Sequence, residues 1–213
     1  MRVSDSRRVL FVHVQKTGGS TIDAMWDDEV PDARKGKGLL RHAPYAKIVK
    51  AEPELEDYWS FGFVRNPWAR MVSWWSMAVD FERRLERGKE ETTRKWEKQR
   101  RIWAPLVEYN DTFEKFVLEG PEGHPRLGRP QINMLTAKGG GIGVDFIGRT
   151  ENLVADMNVA RERLGLEPVA ELPRRNKSKH RHYSTYYTDE TRERVAELYA
   201  PDIEEFGYTF EQR

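Results

Sequence analysis

An apolar segment that runs directly into a glycine-containing turn constrains this sequence more than any other feature. Residues 8–14 predict a buried strand, and residues 15–21 hold two glycines, a lysine and three hydroxyl side chains. Glycine lets a backbone turn tightly, and the first N–H groups of a following helix have no partner within that helix. Such a turn is typical of a site for a phosphate or sulfate group, and Lys16 adds a positive charge. An ordinary strand-to-helix turn with a serine cap is the alternative.

The order of residues in this turn differs from the common nucleoside-triphosphate loop. In that loop a lysine and a serine or threonine follow the second glycine, and the hydroxyl binds magnesium. Here Lys16 precedes both Gly18 and Gly19. A kinase that acts on nucleotides or small molecules is therefore only an alternative, and a nucleotide-binding protein without transfer activity is another.

A second segment repeats this organisation further along the chain. Residues 60–65 predict a short strand that ends in a basic residue, and Pro67 favours the first turn of a helix. An arginine fork and a serine hydroxyl both bind phosphate oxygens, so Arg65 and Ser73 are candidates for a second anion site. Two anion sites predict a ligand with two separate phosphates.

Together these segments resemble the sulfotransferases that use 3′-phosphoadenosine-5′-phosphosulfate (PAPS), in the branch of carbohydrate sulfotransferases and small bacterial members. The resemblance continues through residues 144–153 and 199–208, so it covers nearly the whole chain. It implies PAPS as the donor, adenosine 3′,5′-bisphosphate (PAP) as the product, no metal, and a 3′-phosphate site at Arg65 and Ser73. The residues implied to bind the 5′-phosphosulfate are Lys16, Thr17, Gly18, Gly19, Ser20 and Thr21.

The transfer of a sulfuryl group requires a base for the acceptor and a positive charge at the oxygen of the leaving phosphate. Lys16 is the expected source of that charge. Histidine is the natural base near neutral pH, and His42 lies between the two motifs, where many relatives carry a histidine that faces the acceptor. A surface or structural role is the alternative for His42. We expect His13 to be a buried structural residue, and Asp145 and Glu151 are weaker alternatives as the base.

A basic run at residues 174–183 stands out from a balanced composition of 36 Lys and Arg against 35 Asp and Glu. One interpretation is a solvated charge run. Relatives carry a basic segment here that can close over the nucleotide, so Lys177, Lys179 or Arg181 is predicted to contact the 3′-phosphate or an anionic acceptor. Nucleic-acid binding is disfavoured, because the run is short and lacks interleaved aromatic residues.

Predicted strands and helices alternate along the chain, which favours an α/β fold with a central parallel sheet flanked by helices. The phosphosulfate site is then a P-loop-like strand–loop–helix. A single domain over residues 1–213, with a charged helical insertion at about 80–130, is the simplest expectation for this length. The predicted elements are strands at 8–14, 60–65 and 144–148 and helices at 19–28, from 67 past 80, and at 153–164.

Composition limits the remaining possibilities. The chain has no cysteine, which excludes disulfides and thiol catalysis. It shows neither a signal peptide nor an apolar run long enough for a membrane span, so a cytoplasmic protein without a membrane partner is expected. The expected acceptor is a hydroxyl, with an amine as the alternative, of a sugar or small molecule. Residues 82–101 are densely charged and predict either a solvated helix or a lid over the substrate.

Overall fold

A four-stranded sheet organises the first part of the chain in the computed structural model, which describes residues 1–172 and 181–212. Contacts divide the chain into two units. The first comprises Met1–Arg65 with Gln131–Lys177, and the second comprises Asn66–Pro130 with Ser178–Arg213. The sheet belongs to the first unit, and the charged segment expected at about 80–130 belongs to the second.

The sheet is mostly parallel, as predicted. Its strands lie in the order β1 (Arg2–Ser4), β2 (Val9–Val12), β3 (Trp59–Val64) and β4 (Phe146–Arg149). Strands β2, β3 and β4 are parallel to one another, and β1 is an antiparallel edge strand that the sequence pattern did not predict. The α/β fold class is therefore confirmed, with one antiparallel addition.

Helices cover both faces of the sheet, which explains why β2 and β3 are buried almost throughout. Helices α1 (Gly19–Glu29) and α8 (Leu153–Arg163) pack on one face. On the opposite face, Leu135 of α7 (Ile132–Leu135) packs against Gly62 of β3. Helix α2 (Tyr45–Ala51) packs beside α7. The core between the sheet and the first pair of helices contains Val9, Phe11, Ile22, Met25, Trp26, Phe61, Phe63, Met157, Ala160 and Leu164.

The second unit is helical. Its longest helix, α3, follows β3 and begins at Pro67, and the Asn66 side chain accepts hydrogen bonds from the N–H groups of Trp68 and Ala69 at 3.1 and 3.2 Å. Its helices are α3 (Pro67–Glu86), α4 (Glu90–Glu108), α5 (Phe113–Leu118), α6 (Gly120–Gly123), α9 (Asp189–Leu198) and α10 (Ala200–Phe206). Short 3₁₀ helices lie at Pro53–Asp57 and Thr150–Asn152 in the first unit and at Tyr183–Tyr186 in the second.

The charged segment 82–101 is helical and mostly exposed, but it spans two helices instead of one. The chain turns between α3 and α4 at Gly88, whose φ of 60° is left-handed, and α4 is kinked at Gln99. A lid over the substrate stays a prediction. In the part of the chain that the structure describes, no helix combines the length and the apolar character that crossing a membrane requires.

Candidate active site

The predicted anion-binding turn lies at the carboxyl end of β2. Its backbone is unusual, because both Lys16 and Gly18 adopt left-handed conformations, with φ of 69° and 82°. Gly18 is the N-cap of α1, so no side chain caps this helix. The first N–H groups of α1 are therefore oriented as in the helix N-termini that bind anions.

The hydroxyl side chains of the turn have different roles. Thr17 is fully buried, and its Oγ1 donates a hydrogen bond to the Val14 carbonyl oxygen at 2.9 Å. Its hydroxyl thus braces the turn from inside. Ser20 is half-buried and its Oγ accepts a hydrogen bond from Arg41 Nη2 at 3.4 Å, whereas Thr21 is buried and its N–H bonds the Gly18 carbonyl at 2.9 Å.

His13 packs directly beneath the start of α1. It is only 3% exposed, so the prediction of a buried residue is confirmed. A Cβ atom on Gly19 would lie 2.0 Å from His13 Nε2, and glycine is therefore required at this position by packing. Nδ1 of His13 lies 3.3 Å from Asp23 Oδ2, which is an ion-pair distance without the alignment of a full hydrogen bond. Burial lowers the pKa of His13, although Asp23 opposes this effect.

Asp23 is the centre of a charged cluster at the second turn of α1. Its Oδ2 lies 2.7 Å from Arg41 Nε and 2.6 Å from Arg41 Nη2, and its Oδ1 lies 3.3 Å from Arg2 Nε. Burial disfavours the charged carboxylate, but His13 and Arg41 favour it more strongly, and they hold the pKa of Asp23 well below its usual range. The sequence analysis missed this cluster, whose only signal is an acidic residue on the buried side of a helix.

His42 lies against His13. The two rings are 4.4 Å apart in an edge-on arrangement, and His42 Nδ1 is 3.0 Å from the His13 carbonyl oxygen. A carbonyl oxygen only accepts hydrogen bonds, so Nδ1 carries the proton and Nε2 keeps its lone pair. Burial, with added repulsion from His13 and Arg41, lowers the pKa of His42 to about 3. The imidazole is therefore neutral at physiological pH, with Nε2 as the basic atom.

Arg65, the basic residue at the end of β3, reaches the turn. Its Nη1 donates to the Lys16 carbonyl oxygen at 3.5 Å, so the structure brings together two residues that the sequence assigned to separate anion sites. Gln131 holds the backbone of Arg65 at both polar atoms: the Arg65 N–H donates to Oε1 at 2.9 Å, and Nε2 donates to the Arg65 carbonyl at 2.8 Å. No sequence pattern predicted this role of Gln131.

The acidic alternatives for the base differ in position. Oδ2 of Asp145 accepts hydrogen bonds from the Ser60 N–H at 2.7 Å and the Ser60 hydroxyl at 2.9 Å, at the beginning of β3. Arg65 follows the other end of that strand, so Asp145 lies at the end of the sheet that is remote from the turn. Asp145 is therefore excluded as the base. Glu151 is exposed and follows β4, at the same edge as the turn.

The remaining predicted binding residues belong to the second unit or lie outside the described residues. Ser73 is buried on α3. Arg181 is exposed, and its N–H donates to the Tyr186 hydroxyl at 3.3 Å. Lys177 and Lys179 lie outside the described residues. Their contacts with a nucleotide stay predictions. Among residues 1–172 and 181–212, no group of three or more His, Asp or Glu side chains could hold a metal ion.

The packing of His13 against Gly19 predicts a large cost for any side chain at this glycine. We expect Gly19→Ala to lower the free energy of unfolding by about 1–3 kcal/mol, because the new methyl group overlaps the buried imidazole. Gly139→Ala is the control, since a Cβ there meets no atom within 4 Å. Urea denaturation measures both. Equal stabilities of the two variants would show that His13 moves aside at little cost.

The lowered pKa of His42 predicts a loss of stability in acid. Between pH 6.5 and about 3 the unfolded chain binds a proton at this histidine that the folded protein does not, so stability falls as the pH falls. We expect His42→Gln to flatten this decline by up to about 1.4 kcal/mol per pH unit. Urea denaturation at several pH values between 4 and 7 measures it. Parallel curves for the variant and the unaltered protein would contradict the assignment.

Comparison with known proteins identifies the family of the chain. Residues 1–209 match the model of a family described as the sulfotransferase family, which is nearly the full length of 213 residues. No curated protein and no solved structure matches the sequence. With a match of this extent, the chain belongs to the sulfotransferase family.

Proposed function

We propose that this protein is a PAPS-dependent sulfotransferase that transfers a sulfuryl group to a hydroxyl group of a sugar or small molecule. The observation that carries the proposal is the meeting of Arg65 with the Lys16 turn, in a chain of this family. Both lie beyond the carboxyl ends of parallel strands, which is where open α/β sheets bind ligands.

In this proposal the donor is bound at two sites, one for each of its phosphate-bearing ends. The N–H groups at the start of α1 and the Lys16 ammonium bind the 5′-phosphosulfate, since both favour anionic oxygens. The Arg65 guanidinium binds the 3′-phosphate with its fork of donors. Thr17 supports the turn through its hydrogen bond to Val14, and Gly19 leaves room for His13 below it.

The chemical step is an in-line displacement at sulfur. The acceptor oxygen forms a bond to sulfur while the bond from sulfur to the bridging phosphate oxygen breaks. Nε2 of His42 takes the hydroxyl proton, and the Lys16 ammonium stabilises the negative charge that develops on the leaving phosphate. The products are the sulfated acceptor and PAP.

The protonation state of His42 suits this role. Its Nδ1 proton is directed at the His13 carbonyl oxygen, so Nε2 is the nitrogen with a lone pair. The pKa of about 3 applies to the protein without a nucleotide. A bound donor adds several negative charges, which favour the imidazolium and raise this pKa toward the working range of a base.

Replacement of Lys16 tests the catalytic assignment. We expect Lys16→Ala to reduce turnover by about 10²–10³-fold, because the charge on the leaving phosphate loses its partner. Lys16→Gly should lose turnover equally but be the more stable of the two variants by about 1 kcal/mol, since glycine adopts the left-handed φ of 69° without strain.

The assay for both Lys16 variants is release of PAP from PAPS, with water as the acceptor and then with a panel of sugars and phenols. Thermal unfolding compares their stabilities. Full turnover in Lys16→Ala would overturn the mechanism.

Replacement of Arg65 tests the donor site. We expect Arg65→Ala to weaken PAP binding by about 10–100-fold, which corresponds to the loss of charge-assisted hydrogen bonds to one phosphate. Adenosine 5′-phosphate lacks the 3′-phosphate, and its affinity should change little. Arg65→Lys keeps the charge without the fork and should give an intermediate loss. Titration calorimetry in EDTA measures the affinities, and an unchanged PAP affinity in Arg65→Ala would refute the assignment.

A further inference from the structure

We propose that Gln131 is a positioning residue for 3′-phosphate recognition, acting through the backbone of Arg65. This inference rests on the proposed function, in which Arg65 binds the 3′-phosphate. It is based on the position of Arg65 directly after the last paired residue of β3. The last paired residue of β3 is Val64, opposite Arg149, so Arg65 is the first residue beyond the ladder.

Side chains replace strand partners at this point of the chain. The Thr150 hydroxyl donates to the Val64 carbonyl oxygen at 3.0 Å. The carboxamide of Gln131 then bonds both the N–H and the carbonyl of Arg65, at 2.9 and 2.8 Å, as a neighbouring strand would. The hydrogen bonding of the backbone is thus continued by one residue beyond β3, and that residue is the one that carries the guanidinium.

Gln131 is itself held firmly. Its relative exposure is 0%, and it directly precedes α7. Within α7, Leu135 lies against Gly62 of β3, so the packing of this short helix on the sheet fixes where the carboxamide stands. A buried amide with bonds at both its oxygen and its nitrogen has one preferred orientation, because rotation would leave polar atoms unsatisfied.

The direction of the Arg65 side chain depends on this support. Its Nη1 reaches the Lys16 carbonyl at 3.5 Å, which places the guanidinium beside the predicted 5′-phosphosulfate turn. A backbone shift at Arg65 is transmitted along the whole side chain, and the directional hydrogen bonds of a guanidinium to a phosphate weaken when it is displaced. The proposed ligands of the 5′-phosphosulfate are the Lys16 ammonium and the N–H groups of α1, whereas the Gln131 carboxamide bonds the backbone of Arg65. Loss of the Gln131 carboxamide should therefore weaken recognition of the 3′-phosphate much more than recognition of the 5′-phosphate.

The test is the ratio of the dissociation constants of adenosine 5′-phosphate and PAP, measured by calorimetry in EDTA. Gln131→Met keeps the length and apolar volume of the side chain and removes the carboxamide. We expect it to lower this ratio by about tenfold, toward the value for Arg65→Ala, while the affinity for adenosine 5′-phosphate stays within about twofold. If Gln131→Met does not fold, Gln131→Asn, whose amide is one methylene too short, should give a smaller loss of the same kind.

Asn158 provides a matched control. Its Oδ1 accepts a hydrogen bond from the Val169 N–H at 2.9 Å and its Nδ2 donates to the Val169 carbonyl at 3.0 Å, which is the same two-point support of a backbone. Val169 has no role in the proposed site. Asn158→Ala should therefore lower stability and leave the ratio unchanged, and this separates positioning from general loosening of the fold.

Each outcome is decisive. A low ratio in Gln131→Met with an unchanged ratio in Asn158→Ala supports the inference. Two outcomes overturn the inference but not the proposed function. In the first, the ratio falls in Arg65→Ala but is unaltered in Gln131→Met. In the second, Gln131→Met weakens the binding of both nucleotides equally. An unaltered ratio in Arg65→Ala overturns the 3′-phosphate site and the inference with it.

Discussion

The parallel pairing of β2 with β3 is the constraint on which the site depends. Val12 and Gly62 are paired at the end of this ladder, so the two strands release their chains at the same edge of the sheet. The chain leaves β2 toward Lys16 and leaves β3 at Arg65 on this same side, and Arg65 Nη1 donates a hydrogen bond to the Lys16 carbonyl oxygen at 3.5 Å. An antiparallel pairing would have placed the two basic residues at opposite edges.

A buried polar cluster lies beside the turn. Asp23 holds Arg41 at 2.6 Å and lies 3.3 Å from His13, and the His13 ring fills the space below Gly19. The His13 carbonyl in turn accepts the Nδ1 proton of His42 at 3.0 Å. Asp23 thus lies beside the His13 ring that packs under the start of α1, and the backbone carbonyl of His13 fixes the tautomer of the proposed base.

Local sequence patterns allowed the parallel sheet and the two motifs beside it to be predicted. Glycines after an apolar run, Pro67 after a strand, and alternating elements report on neighbouring residues, and they indicated the sheet and both motifs. The contact of Gln131 with Arg65 was not predicted, because the two residues are 66 positions apart in the sequence. The ion pair of Asp23 with Arg41 was not predicted for the same reason, at a separation of 18 positions. The edge strand β1 has only three residues, which is too short for a hydrophobic period. Contacts between distant residues leave no periodic signal, so only the fold reveals them.

The central claim is that the Lys16 turn and Arg65 bind the two ends of one bisphosphate nucleotide. A crystal structure of the protein with PAP, grown in EDTA, tests this claim most directly. We expect the 5′-phosphate to lie at the first N–H groups of α1 beside the Lys16 ammonium, and the 3′-phosphate to lie on the Arg65 guanidinium. A nucleotide bound away from α1, or one whose 3′-phosphate contacts groups other than Arg65, would contradict it.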